Sequence, residues 1–252
     1  MPKLKDIVKF LDQYLETGKV EDGSWNGLQV EGNAEVKKMV FAVNASIDAF
    51  KKAISEKSDM VIVHHGLFWK SANPSQTKWN KERIDLLNNN GISLYVSHLP
   101  LDKHKVVGNN AQLLKLLGAK IKKEFFKYGN FNIGWVGECK KPITIKFAAE
   151  KLKIELGTKC VILPFGKEKI KTIAVCSGGG GHESFFEAFD SNVDLYLSGE
   201  AIDVYSLAKD AKFNVIFAGH YATETIGLKA LSKVIAKKFR TENVFIDIPT
   251  GL

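Results

Sequence analysis

The chain has 252 residues, 45% hydrophobic and 25% charged, enough apolar side chain for a sizeable core, which excludes intrinsic disorder. At roughly 150 residues per domain this length makes one large domain or two small ones. The net charge of +8 comes from 36 basic residues against 28 acidic ones, and only Arg83 and Arg240 are arginines. The guanidinium fork that grips phosphates and reads guanine edges is therefore almost absent. A solvated lysine surface accounts for the charge, with weak nucleic-acid binding as the competing reading.

In chain order, KLKDIVKFLDQYLE spaces Ile7, Phe10, Leu11 and Leu15 at helical intervals. Short apolar runs follow: MVFAV (39–43), MVIV (60–63), SLYV (93–96), TIAV (172–175), DLYL (194–197) and NVIF (214–217). Amphipathic stretches lie between them: SIDAFKKAI, WNKERIDLLNNNG, ESFFEAFD and AIDVYSLAKDA. Continuous apolar runs separated by helices indicate parallel strands buried on both faces, so the class is α/β. Around 119–150 the rhythm changes to a stretch richer in aromatics, Gly and charge. The expected division is accordingly 1–124 and 125–252, two closely packed α/β units, with the C-terminal segment able to pack back on the first. Cys139, Cys160 and Cys176 are widely spaced with no CxxC, which reads as small core residues rather than a disulfide framework. No apolar run approaches the roughly 18 residues of a membrane span, and MPKLKDIVKF puts charges where a signal peptide is apolar. The expectation is a cytoplasmic protein without a membrane partner.

The two halves resemble each other. FAVN (41–44) aligns with AVCS (174–177), DMVIVHH (59–65) with DLYLSGE (194–200), and LYVSHLPLD (94–102) with IFAGHYATE (216–224). The last pair shares a strand followed by His, three residues and a carboxylate: His98 to Asp102, and His220 to Glu224. A duplication of this kind predicts two similar units with mostly parallel sheets facing a shared metal-binding cleft.

Four of the six histidines, His64, His65, His98 and His220, fall just beyond predicted strands, the edge at which open α/β sheets bind ligands. Asp102, Glu200 and Glu224 lie at the same edge. Adjacent strand residues point to opposite faces, so His64 and His65 reach one site only if the chain turns, and Gly66 supplies the freedom. His220 and Glu224, four apart at the start of a helical pattern striped by Ile226, Ala230, Leu231, Val234 and Ile235, share a face. His64, His65, Asp102, His220 and Glu224 offer three nitrogen and two carboxylate donors. That is more than one catalytic zinc takes, so a pair of divalent ions sharing a carboxylate and a water fits better. The donors suit zinc, iron, manganese, cobalt or nickel without choosing between them. His98 can coordinate, position a water, or transfer protons, and an outer-shell or proton-transfer role is favoured. His104, in DKHK, is expected to be exposed.

The run CSGGGGHES (176–184) follows a strand and precedes a helix. The amides of Gly178 and Gly179, with His182 nearby, can hold a substrate phosphate, although neither a Walker sequence nor GxGxxG is present. A tight turn, or glycines admitting a neighbouring chain, competes with that reading, and His182 equally suits a helix start facing water. Ser177 and Ser198 lack the GxSxG elbow and no base flanks Cys176, so covalent catalysis is not indicated.

SWNGLQVEG (24–32), VHHGLFWK (63–70), SHLPLD (97–102), SGE (198–200) and GHYATE (219–224), in that order, resemble the GTP cyclohydrolase I type 2 homologue family, also called NIF-three-like. The resemblance covers nearly the whole chain. It implies a dinuclear centre at His64, His65, Asp102, His220 and Glu224, in two α/β units. It also implies a ring-shaped homohexamer, a trimer of dimers. The additional domain inserted in longer members would have gone near 119–170. The implied reaction is hydrolytic opening of the guanine imidazole ring of GTP with release of formate, His98 shuttling protons. Rival readings are a metal-dependent phosphatase or phosphodiesterase acting on a small phosphoester, and a non-enzymatic ring that binds metal or nucleic acid.

Overall fold

A computed structural model describes residues 1–72 and 78–252. The chain forms two compact units, one of Met1–Leu101 with Leu228–Ile248, the other of Asp102–Gly227 with Pro249–Leu252.

The first unit contains α1 (Leu4–Tyr14), β1 (Gly27–Val30), β2 (Lys38–Asn44), α2 (Ile47–Ser55), β3 (Met60–His65), α3 (Lys78–Asn88), β4 (Ser93–Val96) and, from the C-terminal part of the chain, β11 (Glu242–Phe245). Its sheet runs β1-β4-β3-β2-β11, with β1 antiparallel and every other pairing parallel. The apolar runs at 39–43, 60–63 and 93–96 become β2, β3 and β4. Val40, Val61, Val63, Leu94 and Val96 pack into one core with Ala49 and Phe50 of α2, the double-sided burial expected of parallel strands. Helix α2 starts where it does because Ser46 Oγ accepts the Ala49 N–H at 3.1 Å.

The second unit contains α5 (Asn109–Leu116), β5 (Ala119–Tyr128), β6 (Phe131–Ile143), α6 (Ile145–Leu156), β7 (Val161–Pro164), β8 (Ile170–Cys176), α7 (Gly181–Asp190), β9 (Leu195–Ser198), α8 (Tyr205–Asp210), β10 (Asn214–Phe217) and the first part of α9 (His220–Phe239). The short helix α4 (Leu99–Asp102) ends where this unit begins. Sheet order is β5-β6-β8-β9-β10-β7. Only β8, β9 and β10 are mutually parallel, and β5, β6 and β7 pair antiparallel. The α/β class thus holds in both units, while the mostly parallel arrangement describes the first sheet and the centre of the second. The aromatic, charged stretch at 119–150 is the reason: Gly129 and Asn130 join β5 to β6 directly, a connection too short for anything but an antiparallel hairpin.

The division falls at 101/102 and not at the expected 124/125. Ala111, Leu113, Leu114 and Leu117 on and after α5 share an apolar core with Trp135, Ile173 and Leu195, so residues 102–124 belong with the second sheet. Residues 228–248 lie in the first unit, where β11 pairs with β2.

The internal likeness has a structural counterpart. In one sheet β2, β3 and β4 lie side by side in parallel, and in the other β8, β9 and β10 do the same. On α9 the buried stripe is Leu228, Leu231 and Ile235, whereas Ile226, Ala230 and Val234 are half-buried. Cys139 and Cys176 are buried, Cys160 is half-buried, and all three are free thiols. Among the described residues no helix is long and apolar enough to cross a membrane.

Candidate metal centre

In the first unit three imidazoles meet at the carboxyl end of β3 and just beyond that of β4. The ring centroids of His64 and His65 are 4.7 Å apart, those of His64 and His98 4.9 Å, and those of His65 and His98 5.5 Å. One ring nitrogen from each lies within 4.8 Å of the others, a grouping that can hold a metal ion. Each ring is fixed through Nδ1. His64 Nδ1 donates to the Ser97 carbonyl at 2.9 Å, and His65 Nδ1 to Asn44 Oδ1 at 2.8 Å. His98 Nδ1 donates to Asp22 at 2.9 and 3.1 Å. A carbonyl or carboxylate oxygen can only accept, so the proton sits on Nδ1 and the ligating lone pair on Nε2, the tautomer that a metal-binding histidine uses.

The expected turn at Gly66 is not what brings the pair together: His64 and His65 both belong to β3. Gly66 is needed for close approach, because a Cβ there would lie 2.5 Å from Val96 and 2.7 Å from Gln29. His65 stands in parallel register with Asn44 on β2, which is why that amide reaches its ring.

Residues 22–26 support His98. Asp22 is 4% exposed. Its carboxylate accepts from Ser24 N–H at 3.0 Å, Asn26 Nδ2 at 2.8 Å and Leu99 N–H at 3.0 Å, besides His98. Burial opposes its charge, but the hydrogen bond and electrostatic attraction of His98, with the Ser24 and Asn26 donors, hold its carboxyl down at about 2. Asn26 Oδ1 also accepts the His98 N–H at 2.7 Å. The loop is stitched to the segment after β3 by Trp25 N–H to the Phe68 carbonyl and Lys70 N–H to the Gly23 carbonyl. Trp69 then packs edge-on to His98, 5.2 Å between centroids, and 6.0 Å from His65.

The second unit carries the remaining donors. Asp102, 6% exposed, accepts through Oδ1 from Ser177 Oγ at 2.9 Å and Asn109 Nδ2 at 2.8 Å. Asn109 is itself oriented by the Gly227 N–H, which it accepts at 2.8 Å. His220 opens α9, with Nε2 3.2 Å from Oε1 of the buried Glu224, so the four-residue spacing does place both on one face. Its Nδ1 lies 3.3 Å from Glu200. The hydrogen bond to Glu224 raises the His220 pKa, burial opposes it, and the remaining charge of Glu224 and Glu200 adds to the rise.

The glycine run contributes differently from the expected phosphate cradle. Gly178 N–H donates to Thr223 Oγ1 at 3.0 Å, and its carbonyl accepts from Gly199 and Glu200, so its amide is already engaged within the fold. Gly178 has φ +63°, and a Cβ there would collide with Glu224 Oε1. At Gly179 a Cβ would lie 2.7 Å from Glu200 Oε2. These glycines let the loop pass against His220, Glu200 and Glu224. His182 is exposed on the first turn of α7, its Nε2 3.4 Å from the Asp203 carbonyl. His104 is half-buried rather than exposed, because its Nδ1 accepts the N–H groups of Val106 and Val107 at 3.1 Å. Cys176 is buried, and burial, then the charges of Asp102, Glu224 and Glu187, push its thiol well above the usual range, which removes it as a nucleophile.

Asp22, Asn26, Asn44 and Asn109 are thus the functional candidates that sequence reasoning missed, and Ser177, weighed there only as a nucleophile, instead orients Asp102. Asn44 closes the FAVN run and Ser177 the AVCS run, the one signal that could have marked them.

Strand ends that carry clustered imidazoles and carboxylates, with ring tautomers set by neighbouring oxygens, define an α/β protein with groups able to bind metal. Residues 2–250 match the family model described as Duf34/NIF3 (NGG1p interacting factor 3), and the chain belongs to that family. It is 42% identical to the GTP cyclohydrolase 1 type 2 homolog of Archaeoglobus fulgidus over 99% of each chain, and 45% identical to that of Pyrococcus horikoshii over 98% of each. Among solved structures it is similar to protein ybgI, of unknown function, with TM-score 0.91 and 33% identity over 100% of both chains. The reduced HcgD of Methanocaldococcus jannaschii is similar too, with TM-score 0.84 and 28% identity over 98% of each. This is the family that HHGLFWK, SHLPLD and GHYATE indicated.

Proposed function

We propose that the chain is a metal-dependent hydrolase in which His64, His65, Asp102, His220 and Glu224 hold two divalent cations. One observation carries this reading: three imidazoles packed together, each spending Nδ1 on an oxygen acceptor, with a nitrogen from each ring within 4.8 Å of the others. Apolar packing alone gives no reason to crowd three polar rings, whereas an oxygen acceptor on Nδ1 is the usual setting of a ligating histidine. Neutral imidazoles with carboxylates fit zinc, iron, manganese, cobalt or nickel.

Ions bound there would supply Lewis acidity and lower the pKa of a bound water to about 7. The chain's own residues supply the rest. Ser177 and Asn109 fix the direction of the Asp102 carboxylate, and Asn44 that of the His65 ring. His98, braced by Asp22, moves a proton to or from the reacting group. Trp69 walls the cluster on one side. The reaction we propose is the one the relatives' name suggests, hydrolytic opening of the guanine imidazole ring of GTP with release of formate. A net charge of +8 favours an anionic nucleotide. We also propose action in the cytoplasm as a ring-shaped homohexamer, a trimer of dimers. Supporting self-association, β7 is an edge strand that exposes Val161 and Ile162.

The test is metal content measured on the same sample as formate release from GTP and turnover of a generic phosphoester. Formate released only by metal-loaded protein is the expected result. Phosphoester turnover without formate would replace the substrate, and salt-sensitive DNA binding that survives loss of Asp102 would point to a non-enzymatic ring. Failure to retain any of the five metals would overturn the reading.

A further inference from the structure

Asp22 is a carboxylate that no apolar core needs. It is 4% exposed and lies 76 positions before the ring it touches. Four donors make five contacts with its two oxygens: Ser24 N–H and His98 Nδ1 on Oδ1, and Asn26 Nδ2, Leu99 N–H and again His98 Nδ1 on Oδ2. The partner ring is held at a second point, since the His98 N–H donates to Asn26 Oδ1 at 2.7 Å. Backbone and side chain of His98 are therefore both anchored on one five-residue loop, and that loop is tied by Trp25 and Lys70 to the segment following His64 and His65. The Trp69 indole packs edge-on against the ring at 5.2 Å. Such anchoring leaves the imidazole little freedom to rotate or to exchange its nitrogens.

We infer that Asp22 is a positioning residue, which holds His98 in the Nδ1–H tautomer and turns its basic Nε2 toward the His64 and His65 rings. For the proton-transfer role assigned to His98 this inference rests on the hydrolase reading; for the tautomer it rests on the geometry alone. A buried carboxylate that accepts from Nδ1 sets which nitrogen is the base, and an amide in its place selects the wrong one.

The substitution Asp22→Asn makes the effect specific. One oxygen becomes an NH2 group. At the Oδ2 position it would face Asn26 Nδ2 and Leu99 N–H, both donors in the native arrangement. At the Oδ1 position it faces Ser24 N–H and a ring nitrogen that can become an acceptor. The amide settles with its nitrogen on the Oδ1 side, and His98 answers by moving its proton from Nδ1 to Nε2.

Long-range 1H–15N spectra of 15N-histidine-labelled, zinc-loaded protein test this directly. At about pH 9, above the ordinary imidazole range near 6.5, wild-type His98 is expected as Nδ1–H and the Asp22→Asn protein as Nε2–H, with His64 and His65 unchanged. A wild-type His98 protonated on Nε2, or a tautomer indifferent to Asp22→Asn, overturns the inference. If Asp22→Asn does not fold, the wild-type spectrum alone still decides. Formate release from GTP is the second readout, with a fall of about 10²- to 10⁴-fold expected in Asp22→Asn at unchanged metal content. Wild-type protein that yields no formate but shows the Nδ1–H tautomer would remove the hydrolase reading and leave Asp22 in its positioning role.

Discussion

At the scale of single residues, the donors and their supports make different demands. His65 and Glu224 are assigned to the ions directly, so His65→Ala or Glu224→Ala should abolish bound metal while circular dichroism stays native; full occupancy by elemental analysis would contradict the assignment. Asn44 acts one step removed, by holding His65, and losing the partner of a ligating ring costs roughly 10- to 100-fold in metal affinity. Gly178 makes a third kind of demand. Its φ of +63° and the clash of any Cβ with Glu224 mean that Gly178→Ala must displace the carboxylate or the loop. Positive φ in a non-glycine costs about 1 to 3 kcal/mol, so the variant should melt earlier and bind metal more weakly. A Gly178→Ala protein with wild-type metal affinity would show that the loop yields without moving Glu224.

Among the elements, the duplicated strand trios share a small device that the sequence alignment pairs but does not explain. Asp59, just before β3, accepts the N–H groups of Lys37 and Lys38 at 2.7 and 3.0 Å. Asp194, its counterpart before β9, accepts those of Lys171 and Thr172 at 3.0 Å, together with Thr172 Oγ1 and Lys167 Nζ. Each carboxylate ties the start of its strand to the start of the neighbouring one, which sets the parallel register and so the positions of the distal histidines. Burial raises the Asp194 pKa, but Lys167 and the Lys171 and Thr172 donors outweigh it and lower the value overall. A lowered folded-state pKa means the stabilisation is present above the unfolded carboxylate value of about 3.9 and is lost as pH falls below it. Asp194→Ala should therefore cost about 2 kcal/mol near neutral pH, and the gap in melting temperature from wild type should narrow in acid. A gap that stays constant with pH would show that the charge is not what matters.

The strands were readable because each is a short, continuous apolar run, and the histidines because they follow those runs at once: His64 and His65 after VIV, His98 after SLYVS. Asp22 and Asn109 could not be found this way. Asp22 sits in a loop with no periodicity, and what makes it functional is a neighbour 76 positions away. The boundary was misjudged for a related reason. The change in texture near residue 119 marks a hairpin, whereas the unit begins at 102, with α5 packed on the strands that follow it.

At the scale of the whole molecule, the proposed metal binding would contribute to stability. Anything that binds only the folded state stabilises it by mass action, by about 2.7 kcal/mol at a hundredfold excess over Kd. A strong chelator should lower the melting temperature of wild-type protein and leave that of His65→Ala where it was; equal shifts in both would mean the cations act elsewhere.

The last strand of the first sheet also bears on how the protein is made. β2 emerges from the ribosome early, yet its outer neighbour β11, Glu242–Phe245, follows only after the other strands of both sheets have been made. Until β11 is made, one edge of a strongly apolar strand stays open, a surface on which nascent chains on the same messenger can pair by mistake. Slow synthesis of the segment between β2 and β11, or termination before β11, should therefore show itself first as aggregation of new chains and only afterwards as lost chemistry.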